Sequence, residues 1–275
     1  MIAAARSFLF VPGSSPLRFF KALASGADAV IIDLEDAVPL TEKTAARAAL
    51  LSFWPSVASD QRARLLVRVN PAQSEFFAQD LTLMQALKPA GVMLAKAERV
   101  LDLAAVGAAL GPQAVLLPLV ESAAGFEAVN QLAAAPQVCR LAFGNIDFQA
   151  DLGMACGPDE AELQPVRFGL VLASRLAGIA APVDGVTLRT DDDDLIAADT
   201  QRALRSGFAA KLCIHPRQID AVHKAFEPSP QELDWARRVV EASASANGGA
   251  VQLDGKMIDR PVLLLAQRKL AMASS

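Results

Sequence analysis

Short apolar runs alternate with segments of helical period along most of the chain, and this alternation restricts the fold more than any other feature. Strands are expected at SFLFVP (7–12), DAVIIDL (28–34), RLLVRVN (64–70), GVMLAK (91–96), AVLLPLVE (114–121), CRLAFGN (139–145), DGVTL (184–188) and KLCIHP (211–216). Between them the pattern predicts helices at about 16–25, 41–53, 75–87, 99–109, 123–134, 163–180, 192–206 and 216–225. The strands are apolar on both faces, as in a parallel sheet, and eight right-handed crossover units can close into a (β/α)8 TIM barrel. A doubly wound open sheet is the rival, but it carries a Gly-rich phosphate turn after its first strand, and GxGxxG does not occur. Strand ends discriminate further. The C-terminal sides carry PGSS, DLED, RVN, Lys96, Glu121, Asn145 with Asp147, Asp184 and His215, groups that a barrel gathers into one mouth.

The tail lies outside the eight units. Residues 1–228 are assigned to the barrel and 229–275 to a C-terminal helical extension, free to dock elsewhere, including on another subunit. The extension reads as a helix at 230–246, a Gly-rich turn NGGAVQLDGKMIDRP and a final amphipathic helix PVLLLAQRKLAMA. DDDD (191–194) suits a helix start, where acids complement the dipole.

Composition excludes several classes. With 53% hydrophobic residues in 275, the chain has ample material for a large core. A net charge of −4 opposes nonspecific binding to nucleic acid or anionic membranes. No apolar run reaches the roughly 18 residues of a membrane span, and MIAAARSFLFVPG lacks the long apolar core of a signal peptide. Three cysteines without a CxxC pair suit a reducing compartment, so a cytoplasmic protein is expected.

Glu121 closes the strongest apolar run, and Asp147 follows RLAFGNI on the next strand. Two acids at consecutive strand ends, completed by water and substrate, form the few-oxygen ligand set that Mg²⁺ prefers; the alternative for each is a rim carboxylate paired with Arg or Lys. Arg68 points opposite to Val67 and Val69 and suits bidentate carboxylate recognition, or equally a salt bridge to DLED. PGSSPLRFFKA offers a helix start with Arg18 and Lys21 one turn on, which reads as an anion site or as a capped helix with solvated charges. Lys96 with Glu98 is either a mouth pair or a helix-start pair. His215 reads as structural, His223 as a surface residue and Cys213 as a buried thiol.

The chain resembles the HpcH/HpaI aldolase/citrate lyase family, its CitE-like branch in particular. The segments that carry the resemblance are RSFLFVPGSSPLRFFKA, DAVIIDLEDAV, LLVRVN, LPLVESAAGF, LAFGNIDFQADLG, GFAAKLCIHPRQI, FEPSPQELDWA and GKMIDRP, in family order over almost the whole chain. The resemblance implies a TIM barrel and Mg²⁺-dependent cleavage or formation of a carbon–carbon bond in a 3-hydroxyacyl-CoA thioester such as citramalyl-, malyl- or citryl-CoA. It implies that Glu121 and Asp147 hold the metal, that Arg68 binds the carboxylate of the α-keto acid, and that Arg18 and Lys21 meet the CoA pyrophosphate. It implies Asp259 as the acid–base residue, delivered to a neighbouring subunit in a homotrimer or homohexamer. Glu121-Ser122-Ala123 departs from the Glu-Thr-Pro common in related lyases and alters the pocket wall.

Rival activities are a citrate lyase beta subunit acting on an acyl-carrier-protein thioester, a malyl-CoA thioesterase or malate synthase, and a non-catalytic binding member. Retention of Arg68, Glu121, Asp147 and Asp259 together opposes the last. In DLED, an extended strand would place Asp33 and Glu35 on one face and Asp36 on the other. Glu35 and Asp36, with Lys96, are expected to surround the metal ligands and hold Arg68 and metal-bound water.

Overall fold

In the computed structural model, residues 1–245 and 250–273 are described, and the NGG turn at 247–249 lies outside them. The chain divides into two compact units, Met1–His223 and Lys224–Ser275, a division that falls inside the helix Gln218–Phe226 rather than after residue 228. Among the described residues no helix is long and apolar enough to cross a membrane.

The first unit is a closed barrel of eight parallel strands in sequential order. They are β1 (Ser7–Pro12), β2 (Ala29–Asp33), β3 (Leu65–Val69), β4 (Gly91–Leu94), β5 (Val115–Val120), β6 (Ala142–Phe143), β7 (Val183–Asp184) and β8 (Ala210–Cys213). Alternate residues of each strand point inward. Phe8, Ile31, Leu66, Met93, Leu119 and Val183 are among those that fill the interior and leave no pore. The opposite parity, with Val30, Ile32, Val67, Val69 and Val92, is equally buried beneath the surrounding helices, which explains the continuous apolar runs.

Two expected strands shrink. Of 139–145 only Ala142–Phe143 joins the ladder, and of 184–188 only Val183–Asp184 does, one residue earlier than expected at its start. At the N-terminal end of the strands the fully buried Arg140 donates to the carbonyls of Ala5 (2.6 Å) and Ala181 (2.8 Å) with Phe8 beneath it. His223 is not a surface residue: Ser7 Oγ lies 2.8 Å from its Nε2, and this ties its helix to β1.

The second unit packs helix Pro230–Ser245 on helix Arg260–Ala273 around Ala236, Val239 and Ala266. Its first helix opens with a reciprocal cap. Ser229 N donates to Glu232 Oε2 (2.9 Å) and Glu232 N to Ser229 Oγ (3.2 Å). Where sequence predicted only a turn, β9 (Val251–Leu253) and β10 (Lys256–Ile258) form a hairpin. Asp254 and Gly255 both have positive φ, 51° and 75°, as a two-residue hairpin turn of this hand requires.

Candidate active site

Three polar residues continue the inward series at the C-terminal ends of the strands. Asp33 follows Ile31 by two, Arg68 follows Leu66, and Glu121 follows Leu119, so each projects into the mouth above the packed interior. Asp33 and Arg68 are register partners. Arg68 donates from Nε to Asp33 Oδ1 and from Nη2 to Asp33 Oδ2, both at 2.7 Å, while Nη1 lies 3.3 Å from Glu35 Oε2. Its guanidinium stacks 4.7 Å above the Phe10 ring. The fork is thus fixed through one edge by Asp33, and its Nη1 side is engaged only by the single, longer contact to Glu35.

A second buried network holds the loop after β2. Lys43 Nζ donates to Leu34 O, Glu35 O and Asn70 Oδ1, each at 2.8 Å. Asn70 Nδ2 donates to Leu34 O (2.9 Å) and to Asp80 Oδ2 (2.6 Å), and Asp80 also accepts from Arg47 (3.0 Å). Asp33 completes the loop by accepting from the amides of Glu35 (2.8 Å) and Ala37 (2.9 Å). Burial lowers the Lys43 ammonium below its ordinary range, yet the three acceptors satisfy all its protons.

Glu121 is 2% exposed. Its Oε1 accepts from Lys96 N at 2.7 Å, and its Oε2 makes no hydrogen bond among the described residues. A Cβ at Gly144 would collide with Oε2 and with the Glu121 Cβ, so glycine clears the space in which this carboxylate stands. Burial pushes its carboxyl up to about 8, against Arg68, with Glu35 and Asp147 adding repulsion. Burial likewise raises Glu35 to about 7, opposed by Arg68 and reinforced by Asp36. Burial opposes ionisation of Asp33 too, but the Arg68 pair holds it below its usual range. Lys96 has a left-handed backbone, φ 45°. Burial disfavours its charge, but Glu35, Asp36, Glu121 and Asp147 outweigh that and raise its pKa.

Asp147 lies half-buried in the first turn of helix Asn145–Leu152, and its charge acts on both Glu121 and Lys96. At the far end of that helix Asp151 accepts from Ala123 N at 2.8 Å, so the two turns that carry Glu121 and Asp147 are joined. Ser122 caps the next helix through Gly125 N and donates to Glu98 at 2.7 Å, which gives Glu98 a partner other than Lys96.

The structure therefore brings Arg68, Glu121, Asp147, Glu35 and Lys96 into one electrostatic neighbourhood. Asp36 is exposed and makes no ion pair among the described residues; Arg68 is gripped by Asp33 at 2.7 Å, with the expected Glu35 3.3 Å from its Nη1. The strand stops at Asp33, so alternation does not govern the residues after it. Arg18 and Lys21 are exposed on a 3-10 turn, Pro16–Arg18, and a five-residue helix, Phe19–Leu23, without ion pairs among the described residues. Asp259 belongs to the second unit, where its Oδ1 accepts from Val262 N at 3.3 Å and caps the last helix. A cavity of about 390 Å³, lined by Gln164, Phe168, Arg202, Arg205 and Ser206, contains none of these groups. Sequence reasoning offers the Arg68 salt bridge to DLED without singling out Asp33 and names Asn70 only within RVN at a strand end; it misses Lys43 and Gly144. Of these four only Asp33 carries a usable signal, its even spacing from Ala29 and Ile31.

A closed parallel barrel whose mouth collects buried carboxylates around a fixed guanidinium is the architecture of a (β/α)8-barrel enzyme. The chain belongs to the HpcH/HpaI aldolase/citrate lyase family, whose sequence profile matches residues 6–216. Its structure is similar to that of the protein CitE from Mycobacterium tuberculosis in complex with magnesium, acetoacetate and coenzyme A, with a TM-score of 0.89, 35% identity and coverage of 100% of both chains. A citrate lyase subunit beta-like protein of Mycobacterium tuberculosis is 38% identical over 98% of this chain and 96% of its own. A (3S)-malyl-CoA thioesterase of Cereibacter sphaeroides is 34% identical over 98% of this chain and 95% of its own.

Proposed function

We propose that the chain is a magnesium-dependent carbon–carbon lyase that splits a 3-hydroxyacyl-CoA thioester into an α-keto acid and an acyl-CoA, or joins them. Citramalyl-, malyl- and citryl-CoA are the substrate class. The observation that carries this reading is the buried Glu121 with its free Oε2, beside Asp147 and facing the fixed Arg68. The magnesium, acetoacetate and coenzyme A of the CitE relative support it.

The donor set fits a hard divalent cation. Glu121 is a desolvated carboxylate without a cation within ion-pair reach among the described residues, and the added repulsion of Asp147 is what a divalent ion relieves. No group of three or more His, Cys, Asp or Glu suited to a metal occurs among the described residues, in keeping with two protein ligands and a remainder of water and substrate. Glu121 and Asp147 would hold the ion. When bound, magnesium supplies Lewis-acid stabilisation of negative charge on substrate oxygens.

The protein's own groups do the rest. Arg68, immobilised by Asp33, orients the substrate carboxylate through Nη1, where Glu35 now lies 3.3 Å away. In cleavage the hydroxyl proton passes to a solvent water, the carbon–carbon bond breaks as the hydroxyl-bearing carbon becomes the keto group, and the bond's electron pair passes to the thioester as an enolate. Asp259 then protonates the enolate carbon; in the joining direction it removes that proton. A positioned acid–base group contributes about 10²–10⁴-fold. Asp259→Asn keeps a competent helix cap, so it should fold and bind Mg²⁺ normally yet lose at least about 100-fold in turnover. Wild-type turnover in that variant would remove Asp259 from the mechanism.

Arg18 and Lys21, exposed and unpaired, suit the CoA pyrophosphate. The second unit of one chain would present Asp259 to the mouth of its neighbour in a homotrimer or homohexamer. Three free cysteines fit a cytoplasmic setting. The thioesterase relative favours a second outcome, hydrolysis of the thioester with the carbon chain intact. Incubation with Mg²⁺ and a panel of malyl-, methylmalyl-, citramalyl- and citryl-CoA, followed by chromatography of acyl-CoA and keto acids, separates the two. Free CoA with an intact hydroxy acid indicates hydrolysis. Cleavage of none refutes the CoA-thioester reading and leaves a carrier-protein thioester or a non-catalytic role.

A further inference from the structure

Half of the cation site rests on the shortest part of the barrel. Strand β6 has two residues and pairs with β7 at one position, Ala142 with Val183. The turn after β6 carries Asp147, and the ladder ends before reaching it. On the β5 side Gly144 N donates to Val120 O at 3.0 Å. On the β7 side a side chain replaces the missing ladder. Asn145, 2% exposed, accepts from Val186 N at 2.9 Å and donates to Val186 O at 3.2 Å. Gly185 gives it room, because a Cβ there would collide with its amide.

Asn145 has one more partner. Its Nδ2 donates at 2.8 Å to Oε1 of Glu160, fifteen residues on. Oε2 of Glu160 accepts from Arg167 Nη2 and, at 3.0 Å, from Arg202 Nη2. Both arginines have carboxylates of their own: Arg167 pairs with Asp184 at 3.0 Å and Arg202 with Asp199 at 2.7 Å. Glu160 is therefore not needed to neutralise them singly; what it adds is the bond to Asn145. It makes that bond from a left-handed backbone, φ 47°, a conformation that a non-glycine residue keeps only where its surroundings over-determine it.

We propose that Glu160, gripped by Arg167 and Arg202, is a positioning residue that acts through Asn145 to fix the turn carrying Asp147 and so sets divalent-cation affinity from outside the mouth. This rests on the reading of Glu121 and Asp147 as the cation ligands. Partners that orient metal ligands typically contribute about 10- to 100-fold in affinity.

The test uses Mn²⁺ alone, its free concentration followed by electron paramagnetic resonance on the whole purified protein, with melting temperature measured in parallel. Glu160→Gln should weaken Mn²⁺ binding about tenfold. Asp199→Asn disturbs the same arginine without touching Asn145, and it should lower the melting temperature while binding Mn²⁺ as wild type does. Asn145→Ala should match Glu160→Gln, and the double variant should be no worse than Asn145→Ala alone. If Glu160→Gln does not fold, Glu160→Asp keeps the charge for the arginines, withdraws one methylene from Asn145, and should show the same loss. Wild-type affinity in the Glu160 variant, equal losses in the Glu160 and Asp199 variants, or losses that multiply in the double variant would each overturn the proposal. Glu121→Gln separates the two readings. If it binds Mn²⁺ like wild type, the ligand assignment fails and this inference with it; if it loses Mn²⁺ while the Glu160 variant does not, only this inference fails.

Discussion

At the scale of single residues, Glu121 gives the mouth its pH dependence. Burial raises its carboxyl from the ordinary 4.5 to about 8, and Glu35 is raised to about 7. Between pH 4.5 and about 8 the bare folded protein holds a proton on Glu121 that the unfolded chain releases. This group's contribution to stability is thus fully present below 4.5 and is lost as pH rises through 8. Cation binding by Glu121, the ligand proposed above, would run the other way, because a ligand carboxyl must be deprotonated. Mn²⁺ affinity should rise with pH by up to about tenfold per unit and level off above pH 8. Calorimetric titrations in two buffers of different ionisation enthalpy would count the proton released. A flat profile with no proton release would show that Glu121 is not a ligand.

At the scale of elements, the loop after β2 hangs on Lys43, which stands at the first position of helix Lys43–Phe53. Lys43→Met removes three hydrogen bonds and leaves Asn70 Oδ1 without its donor, since Leu34 O keeps Asn70 Nδ2 and Glu35 O keeps Val38 N. The cost is about 2 kcal/mol and should lower Tm by roughly 4–8 °C. Thermal unfolding of the bare protein measures it, and an unchanged Tm would mean that water replaces the ammonium. Nothing in KTAARAALLSF marks its lysine as buried; the residue becomes visible only when β2, β3 and this helix meet. What was legible was periodic. Alternation along the strands revealed the barrel, and the same parity explains why Arg68 and Glu121 face inward. CRLAFGN and DGVTL read as full strands from their apolar residues, yet only Ala142–Phe143 of the first and Asp184 of the second join the ladder. The partnership of Asn145 with Glu160 joins residues fifteen apart through an irregular loop, which no local pattern encodes. The hairpin, by contrast, has its signal in Asp254-Gly255, which reads as a turn; the strands are in the residues that flank it.

For the whole molecule, the proposed delivery of Asp259 to a neighbouring subunit can be read by mixing. Asp259→Asn and Glu121→Gln should each be inactive alone. Unfolded together and reassembled, they should recover about a quarter of wild-type activity if each mouth takes Asp259 from the next chain in a closed ring. No recovery would place both residues in one chain's own site. The barrel itself is unevenly joined. β1 and β2 share five register pairs, whereas β6 and β7 share one. A ring opens first at its thinnest seam, so amides at 142–147 and 183–186 should exchange with solvent faster than those of β2. Glu121 follows β5 and Asp147 follows β6, so an ion held between them would span the next junction, which has two register pairs. As a clasp across β5 and β6 it would slow exchange at 142–147 while leaving 183–186 and β2 unaffected.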